Sequence, residues 1–140
     1  MVTGVVVDAS VALAWGFPDE RSAYADGVLE GLEQRPGLVP ALWALEMANG
    51  LVVGERRKRL QQAEISRFVA LLEGLTIIQD ERSVNETITG VVPLARQYKL
   101  SAYDAAYLDL AIRDGAPLAT LDHGLRKAAK AAGVRIYGKE

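Results

Sequence analysis

Asp8, Glu46, Asp104 and Asp122 lie far apart in the chain but occupy related positions. Asp8 closes the apolar run Val5-Val6-Val7, and Asp122 closes Leu118-Ala119-Thr120-Leu121. Glu46 and Asp104 stand near the starts of two helical stretches. In an open parallel α/β sheet the ligand crevice lies outside the carboxyl ends of the strands. Acids scattered over the sequence can therefore meet in one cleft. Carboxylates brought together repel each other unless a cation or a proton neutralises them. A hard divalent ion with oxygen ligands, Mg2+ or Mn2+, meets that need. The chemistry such a centre supports is metal-assisted hydrolysis of a phosphodiester. The chain has no cysteine, and His123 is its single histidine. A thiol nucleophile, a thiolate zinc site and a two-histidine acid–base pair are thereby excluded.

Each acid also has a plainer reading. Asp8 and Asp122 could cap the helices that follow them. A carboxylate directly after a buried strand is costly unless paired or coordinated, and two such Asp residues are harder to dismiss than one. Glu46, at about 100° per residue, flanks an apolar arc of Leu42, Leu45 and Val53. Alone it would read as a solvated residue. Asn49 falls within that arc and would need a polar partner if buried, with Glu46 in reach. Asp104 could answer Ser101 in a capping box. Asp109 is rotated about 140° from Asp104 on the same helix, so it is left out of the site and expected on a more exposed face. His123 could touch phosphate, but a surface position at a helix start is the plainer reading.

The elements that must position these residues alternate. Val5–Val7, Leu38–Pro40, Thr76–Gln79, Leu118–Leu121 and Val134–Tyr137 read as short strands. Helices are expected over Ser10–Trp15, Pro18–Gln34, Leu42–Arg56, Gln61–Glu73, Ser101–Arg113 and Gly124–Ala132. Ser83–Tyr98 has helical periodicity, but Gly90 and Pro93 should kink or split it. The alternation argues for a three-layer α/β/α domain around a central parallel sheet of four to five strands. Residues 1–140 suit one such domain with one core.

The balance of 50% hydrophobic and 24% charged residues is ordinarily globular. A net charge of -2 is low for a generic nucleic-acid binder. Neutralising four site acids with metal would leave the remainder positive. Basic residues concentrate in Arg56-Arg57-Lys58-Arg59, which also reads as a solvated helix end, and in Arg126, Lys127 and Lys130 just after Asp122. Arg126 and Lys127 are the first candidates to grip phosphates. Trp15 and Phe17 could stack on a base or line a protein groove, whereas Trp43 reads as core. No apolar run approaches the roughly 18 residues of a membrane span, and no signal-peptide pattern is seen. The absence of cysteine fits a reducing compartment. A cytoplasmic setting is expected.

Four blocks, in order, carry a family resemblance: Val7-Asp8-Ala9-Ser10, Leu45-Glu46-Met47-Ala48-Asn49, Leu100-Ser101-Ala102-Tyr103-Asp104-Ala105-Ala106-Tyr107-Leu108, and Ala119-Thr120-Leu121-Asp122. The third is the most specific, and together they span nearly the whole chain. Taken together they resemble the PIN-domain ribonucleases of VapC type, toxins of toxin–antitoxin pairs. The resemblance implies that Asp8, Glu46, Asp104 and Asp122 bind Mg2+ or Mn2+, with Ser10 and Thr120 close to the metal or its waters. It implies an RNA substrate, an antitoxin partner that enters the acidic cleft, and a homodimer. One metal or two stays open. This chain departs from the family where Asp109 replaces a small residue, adding a charge near a dimer or antitoxin surface. A phosphoryl-aspartate phosphatase would need an acid at position 10, which holds Ser10. The remaining rival is a catalytically inactive PIN-fold module that binds proteins.

Overall fold

The computed structural model describes residues 3–138. Four short strands, β1 (Val5–Val7), β2 (Gly37–Val39), β3 (Ile77–Gln79) and β4 (Leu118–Ala119), form one sheet in the order β3-β2-β1-β4. All three pairings are parallel. The helices between them are α1 (Ala9–Gly16), α2 (Ala23–Gly31), α3 (Trp43–Arg56), α4 (Gln62–Glu73), α5 (Val84–Tyr98), α6 (Ala102–Asp114) and α7 (His123–Ala131). The mixed α/β class and the parallel sheet are those expected. The chain builds outward from β1 to β2 and β3, then crosses to place β4 on the other flank of β1. That reversal opens a crevice between the carboxyl ends of β1 and β4, where Asp8 and Asp122 follow their strands.

β1 is fully buried, and α6 crosses β1, β2 and β4 with α5 and α7 beside it. On the opposite side α1 packs against α2, α3 and α4. Residues 105–111 of α6 are all buried. The helix thus has no solvated face along its middle, and this overturns the expectation for Asp109. At 7% exposure Asp109 is buried, where it accepts from Arg82 and from Arg113 Nε at 3.1 Å. Arg113 also grips Asp80, just after β3, at 2.6 Å. Two guanidiniums neutralise the carboxylate, so Asp109 adds no bare charge to a partner surface.

Other departures have local causes. α5 is one continuous helix. Pro93 and Thr89 are both exposed, so the bond that Pro93 cannot donate is lost on the solvent side of the helix rather than in the core. Gly90 leaves room for Arg82, since a Cβ there would lie 2.5 Å from its Nη1. The stretch expected as one helix from Pro18 begins instead as a 3-10 turn, Pro18–Glu20. α2 then starts afresh behind Ser22, whose hydroxyl accepts the Ala25 N–H at 2.9 Å. The expected fifth strand shrinks to a parallel bridge between Leu118 and Ile136. Phe17 is buried under the Arg59 guanidinium, 4.4 Å from its ring centre, and the Trp15 indole donates to Ala25 O at 2.8 Å. Phe17 is thereby closed to a base, and Trp15 is half-buried with its N–H engaged. Arg59 itself is tied to Asp19 at 2.9 Å, while Arg56, Arg57 and Lys58 are exposed.

Candidate active site

Asp8 occupies the N-cap position of α1 with extended backbone angles, yet its side chain makes no capping bond. It turns into the crevice between β1 and β4 instead. There its Oδ2 accepts from Ser10 Oγ at 2.8 Å and from Thr120 Oγ1 at 2.7 Å. Both hydroxyls are themselves oriented by the loop after β4. Leu121 N–H donates to Ser10 Oγ at 3.2 Å, and Asp122 N–H donates to Thr120 Oγ1 at 3.0 Å. Two donated protons thus fix the acid, and two accepted ones fix the hydroxyls. Asp122 does cap α7, accepting the Leu125 N–H on Oδ1 at 2.9 Å, and its side chain is otherwise exposed. Capping holds it in place at the open side of the crevice.

Glu46 enters from α3. The buried arc of that helix is Trp43, Met47, Leu51 and Gly54, whereas Leu45 is 76% exposed. The expected arc of Leu42, Leu45 and Val53 was rotated from the true one. Glu46 borders the inward face, half-buried, and Asn49 is exposed with no hydrogen bond to it. The partner of Glu46 is Tyr107 of α6, wholly buried, whose hydroxyl donates to Oε1. Asp104 lies one turn earlier on α6, half-buried, behind the N-cap Ser101, whose hydroxyl accepts the Asp104 N–H at 3.1 Å.

These acids feel one another. Burial pushes the Asp8 carboxyl above its ordinary range despite the two hydroxyls that favour its charged form, and the Asp122 charge adds to the rise. Glu46 is raised by burial and then by the charges of Asp8 and Asp104, against the opposing Tyr107 bond. Asp104 is raised by burial and by Asp8 and Asp122. Burial and the adjoining carboxylates also push the Tyr107 phenol far up, so it stays a donor. The structure thus brings all four expected acids, with Ser10 and Thr120, to one end of the sheet.

Among the described residues no three His, Cys, Asp or Glu side chains stand close enough to enclose a metal ion by themselves. The donor set is nonetheless all-oxygen, anionic and mutually repelling. It suits a hard cation that keeps several waters and takes one or two carboxylates directly. Arg126 does not point free at this end. Its Nε and Nη2 donate to the Thr120 carbonyl at 3.1 and 2.9 Å, and its guanidinium stacks 4.7 Å over the Tyr24 ring. Lys127 is exposed on α7. Sequence reasoning missed the supporting roles of Tyr107 and Arg126. The signal for Tyr107 was its place three residues after Asp104, on the same side of a helix.

The chain is 34% identical over 121 residues to Ribonuclease VapC3 of Pyrobaculum aerophilum, covering 86% of this chain and 91% of that one. Among solved structures it is similar to PAE2754 from Pyrobaculum aerophilum, with a TM-score of 0.66 and 26% identity over 90% of this chain and 79% of that one. FitAcB from Neisseria gonorrhoeae shares the fold at a TM-score of 0.62 and 18% identity, covering 96% of each chain. The PIN domain family model matches residues 5–131. With nearly its whole length matched, the chain belongs to the PIN-domain family.

Proposed function

We propose that this chain is a metal-dependent endoribonuclease of VapC type, a single PIN domain over residues 1–140 acting as the toxin of a toxin–antitoxin pair. The observation that carries the reading is the buried Asp8 carboxylate, held by Ser10 and Thr120, its pKa raised by burial and by the Asp122 charge. Its similarity to a VapC ribonuclease supports RNA as the substrate. Asp8 and Asp122 would be the central ligands for Mg2+ or Mn2+, and Glu46 and Asp104 would hold it directly or through water. A metal bound there lowers the pKa of a water and offsets charge on the scissile phosphate. The protein's own part is to keep the acids ionised and placed: Ser10 and Thr120 fix Asp8, Tyr107 fixes Glu46, and Arg126 anchors the loop bearing Asp122. Lys127 grips phosphate, and Arg126 adds its charge at the same end. Exposed apolar residues, Leu45 on α3 and Val84 and Ile88 on α5, are surface for an antitoxin and for a second copy. No helix among the described residues is long and apolar enough to cross a membrane, and the proposed working place is the cytoplasm, where RNA and antitoxin are met.

The test is cleavage of a mixed tRNA and rRNA pool in Mg2+ or Mn2+ against EDTA, with Asp8→Asn beside wild type. Discrete metal-dependent products from wild type alone are expected, and mapping their ends identifies the target. Absence of both products and calorimetric metal binding would favour a non-catalytic protein-binding module.

A further inference from the structure

We propose that the end of the sheet opposite the acids carries a phosphate-binding site built from Arg35 and Arg135. These two guanidiniums line one cavity of about 370 Å³ together with Thr3, Pro117 and Tyr137. Thr3, Arg35 and Pro117 precede β1, β2 and β4, so the cavity lies at the amino ends of the strands. Asp8 and Asp122 lie beyond the carboxyl ends. Three residues of strand span about 10 Å, and one phosphate cannot touch both ends.

Backbone bonds and a ring contact frame the cavity. Pro36, beside Arg35, accepts the Val5 N–H at 3.0 Å, and the Arg135 carbonyl accepts the Leu118 N–H at 2.9 Å. The Tyr137 ring lies under Arg35, 5.6 Å from the guanidinium carbon, and its carbonyl accepts from the Tyr24 hydroxyl at 2.7 Å. Its own hydroxyl fills the space beside Gly31, where a Cβ would come within 2.1 Å. Neither arginine takes part in an ion pair among the described residues. Among the described residues, the Nε of Arg35 is buried without any hydrogen-bond acceptor.

A buried donor on a cation is expensive to leave unpaired. The other arginines packed into this fold meet carboxylates or a carbonyl: Arg82 and Arg113 on Asp109, Arg59 on Asp19, Arg126 on Thr120. Arg35 and Arg135 are left facing a polar hollow together. Two fork-shaped guanidiniums suit the oxygens of one phosphate group, which each can take in bidentate fashion. That group is either a free phosphate or a phosphodiester of a bound nucleic acid, and the chemistry of recognition is the same.

Titration calorimetry with inorganic phosphate, in EDTA so that the acidic end plays no part, tests the site. Saturable one-to-one binding is expected for wild type and equally for Asp8→Asn. An Arg35→Gln/Arg135→Gln double variant should bind at least tenfold more weakly. Arg135→Glu, an exposed change that leaves the Tyr137 packing intact, should abolish binding without altering the melting temperature. No saturable heat from wild type, or unchanged affinity in Arg135→Glu, overturns the proposal. The source is read from single-stranded RNA binding in EDTA against salt. A slope of log affinity on log salt lower by about 1 to 2 in the double variant assigns the site to an RNA phosphodiester. An unchanged slope with phosphate binding intact in wild type assigns it to a free phosphate. Because no step here requires cleavage, a failure of the nuclease reading leaves this result standing, and the reverse holds too.

Discussion

Asp8 shows why a residue's position and its role must be separated. It stands where a helix cap belongs, but the residue is only 6% exposed and its carboxylate is bonded to Ser10 and Thr120 instead. Replacing it with Asn keeps the shape and removes a buried, repelled charge. Asp8→Asn should abolish metal-dependent cleavage and raise the stability of the metal-free protein by about 1 kcal/mol. A nuclease assay paired with thermal unfolding in EDTA checks both, and an unfolded variant would count against the site. Tyr107→Phe makes a different claim. The lost hydroxyl deprives half-buried Glu46 of the one bond that favours its charged form. The Glu46 carboxyl then rises further, so the acidic limb of the pH–rate profile should move to higher pH, with cleavage down about 10-fold or more. An unmoved acidic limb would mean that Glu46 does not act ionised. The acids themselves were legible from strand ends and helix starts. Tyr107 was not, because its partner lies on another helix, 61 residues away.

Elements were legible where one period or one cap dominates, and less so where a distant side chain decides. The strands and most helix bounds follow from apolar runs and caps such as Ser101. Asp109 was misplaced because helical rotation gives a direction, not what covers it. α6 is central and covered all round, and the salvage of a buried carboxylate came from Arg82 and Arg113, far away in sequence. The arc on α3 failed for a related reason: Leu45 looks inward by hydropathy, but α3 packs on α1 and buries its Trp43–Met47 side. Two glycines test the account. A Cβ at Gly27 on α2 would meet nothing within 4 Å, so Gly27→Ala should stabilise by about 0.5 to 1 kcal/mol through helix propensity alone. Gly90→Ala gains the same propensity but forces Arg82 off Asp109. It should show no net gain in denaturant unfolding. Equal stabilisation by both would mean that the Arg82–Asp109 pair contributes nothing to holding α5 on α6.

At the scale of the whole molecule, the cost of gathering acids at one end of the sheet sets a pH dependence. Asp8, Glu46 and Asp104 all have folded-state pKa values raised above their ordinary ones, by burial first and then by neighbouring carboxylates of the site, Asp122 among them. A raised acid keeps its proton longer in the folded state than in the unfolded one. Its favourable contribution is therefore complete below the unfolded pKa, about 4 for these groups, and is lost as pH rises through the folded value. Asp19 and Glu86 act in the opposite sense, since Arg59 and the Ser83 backbone N–H lower them. Their contribution is lost as pH falls through their folded values. Both are solvated surface acids, and solvent screening keeps their effect small. The metal-free protein should accordingly gain stability as pH falls from neutral towards the unfolded value of about 4. Asp8→Asn should flatten that gain. A bound cation repays the same repulsion at neutral pH: Mg2+ at about 100 times its dissociation constant adds about 2.7 kcal/mol. Melting curves from pH 7 down to about 4, in EDTA and in saturating Mg2+, test this directly. The EDTA series should rise on acidification, and the Mg2+ series should stay level or fall as protons displace the ion. A metal-free melting temperature that drops over that window would mean that the acids are not held as a repelling group, and the case for a cation at this end of the sheet would fail with it.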